Sequence, residues 1–190
     1  MPETRKLKDY FDESAIGAMS ERLGKAWPPF NRKRFVALAL DGLEAHELMG
    51  RVRQISGALR SCLPDDYRSA LSILLSDMSP EISDEGGMFS VGYVWMPVTD
   101  YVSVYGLDDW QASMAALYEI TKRHTAEYAI RPFLERYPER TLTELTRWIT
   151  DPSPHVRRLV SEGTRPGFPG LRGYSCSAMI RARPSLFWKR

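Results

Sequence analysis

Apolar residues recur at steps of three and four along most of the chain, the spacing that places them on one face of an α-helix. The first part of the chain carries four such stripes: Phe11, Ile16, Met19 and Leu23; Phe35, Leu38, Ala39 and Leu43; Leu48, Val52, Ile55, Leu59 and Leu63; and Ala70, Leu71, Leu74 and Leu75. Asn31 can cap the second helix, and Asp65 or Asp66 can cap the fourth. The pattern predicts four amphipathic helices, of which the third ends at Pro64 and the fourth spans residues 67–78.

The helical period breaks at residues 79–96, which contain a proline, a Gly-Gly pair and three acidic residues. Such a composition is typical of a long loop. We expect its aromatic residues Phe89, Tyr93 and Trp95 to pack against the rest of the protein. The alternative is that Trp95 faces a ligand.

Beyond the loop the spacing predicts a short helix from Thr99 or Asp100 to Tyr105, then helices at residues 110–122, 125–137, 140–149 and 154–163. Gly106 is placed to end the short helix in the left-handed conformation. Pro132 limits its helix to a kinked or a broken one. No segment has the alternation of a strand. Helix pairs joined by short turns predict an all-α solenoid of α-α superhelical type.

Residues 142–161 have the pattern of a HEAT-type repeat, in which two helices flank a short turn. Leu142, Leu145, Trp148 and Ile149 form the first stripe, and Val156, Leu159 and Val160 form the second. Asp151-Pro152-Ser153-Pro154 lies between them, and proline is well suited to the first position of a helix. The second helices of such a solenoid line its concave surface, where we expect Arg157 or Arg158 together with Glu162.

The charge is distributed unevenly over the 190 residues, a length that fits one domain. Residues 1–120 carry 12 Lys and Arg against 18 Asp and Glu, whereas residues 121–190 carry 14 against 6. A basic C-terminal part indicates a polyanionic partner at that end of the molecule. The alternative is that these arginines are solvated residues on surface helices.

Two cysteines and three scattered histidines have neither the number nor the spacing of a disulfide framework or a metal site. His124 and His155 are expected at the surface, at helix starts. The charged N-terminus lacks the apolar core of a signal peptide, and no run approaches a membrane span. We therefore expect a cytoplasmic protein with no metal, no cofactor and no membrane contact.

Several blocks together resemble the HEAT-repeat DNA alkylation repair glycosylases of the AlkC type. The matching blocks are WMPVTDYVSVYGLDD at residues 95–109, YEITKRHTAEYAIRPFLERYPER at 118–140, DPSPHVRRLVSEGTRP at 151–166, and, earlier, FNRKRFVALALDGLEAHELMGRVRQISGAL and LPDDYRSALSILL. The blocks cover nearly all of residues 7–166. As a set they are specific for this family, although no single block would be.

The resemblance implies a monomer that excises N-methylated bases such as 3-methyladenine from double-stranded DNA, without flipping the base into a pocket. Glu127 and Glu162 match the acidic site residues of the family. Glu162 is expected beside the sugar, while Glu127 positions water or braces an arginine. The candidate phosphate contacts are Lys122, Arg123, Arg157, Arg158 and Arg165. As alternatives, Glu162 is merely solvated, and Glu127 simply pairs with Arg131 four residues on.

The chain departs from the family pattern after Pro166. The family continues with Arg-Leu-Pro-Trp, but Gly170 stands here at the position of the tryptophan. We therefore divide the chain into an incomplete repeat domain, residues 1–166, and an irregular basic tail, residues 167–190. A single-base deletion near the Pro166 codon would account for the tail, and nucleotide sequencing tests this. We expect reduced excision, or alternatively a non-catalytic HEAT-like scaffold that binds DNA or protein.

Overall fold

The computed structural model describes residues 5–76, 78–82 and 92–165, and within them every regular element is helical. The α-helices of these residues are α1 (Glu13–Ala26), α2 (Arg32–Leu40), α3 (Leu48–Cys62), α4 (Tyr67–Leu75), α5 (Met96–Tyr105), α6 (Trp110–Thr121), α7 (Arg131–Arg136), α8 (Pro138–Trp148) and α9 (Pro154–Gly163). Short 3₁₀ helices lie at Leu7–Tyr10, Leu43–Ala45 and Gly92–Trp95. The all-α prediction is confirmed. The predictions for Phe89 and for residues 167–190 lie outside the described residues.

Aspartate and asparagine side chains begin four of the helices. The carboxylates of Asp12, Asp66 and Asp109 accept hydrogen bonds from backbone N–H groups three residues further on, and the Asn31 amide oxygen does the same. Each such cap satisfies a backbone donor that has no partner inside the helix. The caps predicted at Asn31 and at Asp66 are confirmed, and they set where α2 and α4 begin.

Most helices pack against the helix before or after them in the chain, and α5 also packs against α3. Helix α2 packs on α1 and α3, α5 packs on α3 and α6, and α8 packs on α7 and α9. Each helix buries its apolar stripe in the layer between neighbours, which is how a solenoid builds one continuous core from repeated units. Large side chains that are fully buried in this core include Phe35, Ile55, Leu59, Tyr101, Leu117, Phe133, Leu145 and Leu159. The architecture is the predicted helical-repeat solenoid.

The predicted helix at residues 125–137 is wrong in its first half. Residues 125–130 form turns, and α7 begins only at Arg131, so that Pro132 lies in its first turn. In that place the missing N–H of proline costs nothing, whereas inside a longer helix it would remove a hydrogen bond. Helix α5 likewise begins at Met96 rather than at Thr99 or Asp100, with Pro97 in its first turn.

Gly106 ends α5 for a reason other than the one predicted. Its φ is −99°, outside the left-handed region that favours glycine. A side chain at this position would instead collide with the hydroxyl groups of Tyr67 and Ser113. These two hydroxyls are 2.7 Å apart, and Ser113 also donates to the Gly106 carbonyl. Glycine is therefore required here by close packing.

The stripes of the HEAT-type pair are confirmed at most positions. Leu145, Trp148, Val156, Leu159 and Val160 are all buried. Because α8 ends at Trp148, Ile149 falls outside the helix and is 37% exposed, so its assignment to the stripe is wrong. Trp95, at the end of the 3₁₀ helix before α5, is buried as expected, and the Arg22 guanidinium lies 5.2 Å from the centre of its ring.

Candidate active site and nucleic-acid interface

Glu127 and Glu162 lie on two elements that touch. Glu127 belongs to the turns between α6 and α7, and Glu162 lies near the end of α9. The contact is made at Gly163, where a β-carbon would be 2.7 Å from Ile130 Cγ2 and 3.8 Å from the Glu127 carbonyl oxygen. The absence of a side chain at Gly163 allows α9 to approach the turns, and this brings the two acids together.

Each of these carboxylates is accompanied by an arginine. Arg158 Nε lies 3.7 Å from Glu127 Oε1, and Arg165 Nη1 lies 3.5 Å from Glu162 Oε1. The acids are largely covered, with 20% and 28% of their side chains exposed, while the two arginines are 32% and 66% exposed. The site thus consists of two largely covered carboxylates, each beside a more accessible guanidinium group.

Burial raises the pKa of Glu127 above its ordinary value of 4.5. The positive charge of Arg158 lowers this pKa, Glu162 raises it, and Arg131 lowers it by a smaller amount. The effect of Glu162 shows that the two carboxylates are within electrostatic reach of each other. Two interacting carboxylates are an arrangement that stabilises a developing positive charge.

Arg157 lies one residue before Arg158 on α9 but is exposed and turned towards the preceding turn. Its Nη1 donates to the carbonyl oxygens of Asp151 (2.7 Å) and Pro152 (3.0 Å). Arg157 therefore holds the Asp-Pro turn while its side chain remains at the surface. Arg157 and Arg158 on α9, together with Arg165 two residues beyond its end, are three arginines at or near the surface.

Lys122 and Arg123 are directed into the protein. Lys122 Nζ lies 2.9 Å from Glu119 and 3.1 Å from Glu81, and the Arg123 guanidinium donates to the carbonyl oxygens of Ser79 and Glu119. Their side chains are only 14% and 11% exposed. A phosphate contact by either residue would require these contacts to be given up, and that role stays a prediction.

The surface position predicted for the two histidines is wrong. His124 is 4% exposed and His155 is 2% exposed. His155 begins α9 as expected, but its Nε2 lies 2.8 Å from the carbonyl oxygen of Ile82. The Ile82 N–H in turn donates to the Lys122 carbonyl oxygen at 3.0 Å. Residues 78–82, which we call the clamp segment, are thereby fastened to both α6 and α9.

A third acid, which sequence reasoning missed, lies on α5. Asp100 is fully buried, and Arg53 Nε on α3 donates to its Oδ1 at 3.1 Å and lies 2.8 Å from its Oδ2. Burial raises the pKa of Tyr128 well above 10, and the charge of Asp100 adds to the effect. The Tyr128 hydroxyl donates to the Met96 carbonyl oxygen at 2.9 Å, which holds the turn next to Glu127 against α5. No pattern in the sequence indicates this role, because Asp100 has the pattern of a helix cap.

The described residues contain no helix long and apolar enough to cross a bilayer. Within the same residues, no three His, Cys, Asp or Glu side chains converge in a way that could hold a metal ion.

The fold and the site together define a helical-repeat protein with a pair of carboxylates among surface arginines. Over 97% of its length the chain is similar to a solved structure, Pseudomonas fluorescens alkylpurine DNA glycosylase AlkC bound to DNA containing an abasic site analogue, with 33% identity and a TM-score of 0.80. An uncharacterised protein of Bacillus subtilis (strain 168), YhaZ, is 35% identical over 164 residues, 86% of this chain. No family model matches the chain. The chain belongs to the AlkC-like superfamily of helical-repeat proteins.

The chain spans less than half the length of both of these relatives. It corresponds to 48% of the AlkC chain and to 43% of YhaZ. The likeness therefore concerns the helical-repeat part that the two proteins share with this chain.

Proposed function

We propose that this protein is a DNA glycosylase that removes N-alkylated bases, such as 3-methyladenine, from double-stranded DNA. One observation of the structure carries the proposal: Glu127 and Glu162 come from elements 35 residues apart in the sequence and meet at Gly163 with Arg158 and Arg165 beside them. The likeness to an alkylpurine DNA glycosylase supports the same function.

The chemistry of such a lesion suits a pair of acids. An adenine methylated at N3 carries a positive charge, so it leaves as a neutral base and needs no proton from a general acid. The protein has to stabilise the positive charge that develops on the deoxyribose and to place a water molecule at C1′. Glu162, at the exposed side of the pair, is the carboxylate that we place beside the sugar. Glu127, which is deeper, positions the water.

The arginines on and just after α9 supply the contacts to the DNA backbone. Arg158 and Arg165 lie beside the acids and Arg157 is exposed on the same helix, where they can bind phosphates on either side of the lesion without reading its sequence. Lys122 and Arg123 remain candidates of a second rank, since each would have to leave an internal partner. The proposal implies a monomer that acts with the nucleoid in the cytoplasm.

Release of 3-methyladenine from methylated duplex DNA tests the proposal. We expect Glu162→Gln to abolish release, because it removes the charge and keeps the shape of the side chain. Glu144→Gln is a matched control: Glu144 pairs with Arg147 three residues on, as Glu162 pairs with Arg165, and it is similarly exposed at 25%. Equal release by the two variants would show that the acid pair is not the catalytic centre.

A non-catalytic duplex-binding scaffold is the second candidate, and Gly170 favours it, because it replaces the tryptophan expected to stack against the sugar of the lesion. A scaffold would bind methylated and unmethylated duplexes equally, with a strong dependence on salt, and would release no base. If the wild-type chain is folded and helical, binds both duplexes equally and releases no base, it is a scaffold and not a glycosylase.

A further inference from the structure

The two acids of the site are held by arginines that are themselves candidates for phosphate contacts. The distances of 3.7 Å for Arg158 to Glu127 and 3.5 Å for Arg165 to Glu162 exceed the roughly 2.7–2.9 Å of a charge-assisted hydrogen bond. Both are therefore loose ion pairs. A DNA phosphate offers an arginine two parallel hydrogen bonds, which is a stronger arrangement than either pair.

We propose that Arg158 is a positioning residue for Glu127 that exchanges partners when duplex DNA binds. Its guanidinium leaves the Glu127 carboxylate for a phosphate oxygen, and the acid pair takes up a proton from solution in return. The inference rests on the proposed function, since it assigns a role in DNA binding to the same site. It goes beyond that function because it makes DNA affinity depend on pH through one identified ion pair.

The groups that face Glu127 determine the direction of this effect. Arg158 and Glu162 face it from α9, and Arg131 faces it from α7. When Arg158 turns away, the nearby negative charge of Glu162 remains, and the ionised carboxylate is favoured only by the hydrogen bond from the backbone of Glu127 and by the charge of Arg131. Because 80% of the Glu127 side chain is covered, water does little to compensate for the lost arginine.

The sign of the pH dependence follows from these contacts. The pKa of Glu127 is already raised by burial above 4.5 in the protein without DNA, and loss of Arg158 raises this pKa further. Between the two pKa values, the complex holds more protons than the separated components. DNA binding therefore takes up protons in this window, and affinity increases as the pH falls through it.

Titration calorimetry measures this uptake directly. A duplex with an abasic-site analogue is titrated at one pH in two buffers of different ionisation enthalpy, and the difference in the observed heats gives the number of protons taken up. We expect the wild-type chain to take up a fraction of one proton per complex. Glu127→Gln should abolish the uptake, because the titrating group is absent.

Arg158→Gln distinguishes the exchange of partners by Arg158 from a direct effect of the negatively charged DNA phosphates on the pKa of Glu127. If the phosphates alone raised the pKa of Glu127, this variant would take up as many protons as the wild type, and that result would overturn the proposal. If Arg158 exchanges partners, the pKa of Glu127 is already high before binding in this variant, so the uptake is lost. Arg158→Lys keeps the positive charge and should retain part of the proton uptake.

Arg147→Gln is the control, since it breaks the exposed Arg147–Glu144 pair on α8 and should leave the uptake unchanged. Circular dichroism verifies that all variants are folded.

The outcomes distinguish this inference from the proposed function. Failure of the wild-type chain to bind the duplex would overturn both. Base release from methylated DNA combined with binding that takes up no protons would overturn the partner exchange alone. If proton uptake depends on Arg158 but the chain releases no base, the partner exchange would be supported and the proposed glycosylase function would be contradicted.

Discussion

At the scale of single residues, Glu127 places an acidic side chain in a mostly covered position. Burial is the main reason that its pKa is raised above 4.5. An ionised carboxylate in such a place costs stability that a neutral side chain of the same shape would not cost. Residues that serve a function often carry such a cost.

Glu127→Gln is therefore expected to make the protein more stable at neutral pH. Since the folded-state pKa is raised, the folded protein holds more protons than the unfolded chain above pH 4.5, and the free energy of unfolding falls as the pH rises through this window. Urea unfolding at about pH 5 and about pH 7 measures this. The stability advantage of the variant should grow between the two values, and an advantage that shrinks would contradict the assignment of the pKa.

Gly163→Ala is expected to separate the two acids. The new methyl group would lie 2.7 Å from Cγ2 of Ile130, a fully buried side chain that cannot move aside, so α9 must shift. Overpacking of this kind costs about 1–3 kcal/mol. We expect loss of thermal stability and a marked loss of base release.

Gly17→Ala on α1 is the matched control for this change. A β-carbon at Gly17 meets no atom within 4 Å. The substitution replaces a glycine inside a helix, which stabilises by roughly 0.5–1 kcal/mol. If both substitutions destabilised the protein to the same extent, the close contact at Gly163 would not be the cause.

At the scale of elements, one threonine joins three helices. Thr141 on α8 accepts a hydrogen bond from the Trp110 indole N–H of α6 at 3.0 Å and donates to the Phe133 carbonyl oxygen of α7 at 3.0 Å. Thr141 is fully buried, so water cannot replace either contact. The position of α8, and through it that of α9, depends on this hydroxyl group.

Thr141→Val should therefore destabilise the protein by about 1–3 kcal/mol, because it leaves the Trp110 donor without its acceptor. Thr143→Val is the control, since its hydroxyl only donates to the Glu139 carbonyl oxygen at an exposed position of the same helix. Chemical unfolding of both variants measures the difference. If both variants lost the same free energy of unfolding, the cause would be the helix propensity of valine and not the loss of the buried hydrogen bonds.

The elements could largely be predicted from the spacing of apolar residues, with exceptions near prolines. The stripe of Ala126, Ala129, Ile130 and Phe133 is buried, as a long helix would require, yet its first part forms turns. The spacing alone cannot distinguish a kinked helix from a broken one, because both bury the same side chains. The requirement for glycine at position 106 could not be predicted for a related reason: it arises from Tyr67, which lies 39 residues away in the sequence.

At the scale of the whole molecule, the arginines on and just after α9 should determine how duplex affinity depends on salt. Each phosphate contact releases about one counterion, so Arg165→Gln should reduce the slope of log affinity against log salt by roughly 0.9. Arg165 is suited to this test because it is 66% exposed. Binding isotherms at several salt concentrations give the slope.

Arg147→Gln on α8 carries the same change of charge and is the control for the salt dependence. Its side chain is 73% exposed, and it pairs with Glu144 rather than with an acid of the site. An equal reduction of the slope by both variants would indicate an effect of net charge, and the contact assigned to Arg165 would be incorrect.

Periodicity alone could not predict that the site residues would come together. Glu127 and Glu162 were identified through the family resemblance, and their proximity depends on the packing of Gly163 against the turns. Arg123 could not be recognised as an internal residue, because one of its partners is the carbonyl oxygen of Ser79, 44 residues earlier in the chain. The ion pair of Asp100 with Arg53, 47 residues apart, was missed for the same reason.

The clamp segment changes how a solenoid of this kind should lose its structure. Repeat proteins in general unfold from their ends, because each unit touches only its neighbours. Here Ile82, from the connection between α4 and α5, contacts the end of α6 and the start of α9, 73 residues away from it at His155. The helix pair of α8 and α9 therefore cannot fray alone, because its opening releases residues 78–82 from their contact with His155. The amide of Ile82 should therefore exchange its hydrogen at the same rate as those of α9. The clamp segment and α9 then open and close as one cooperative unit.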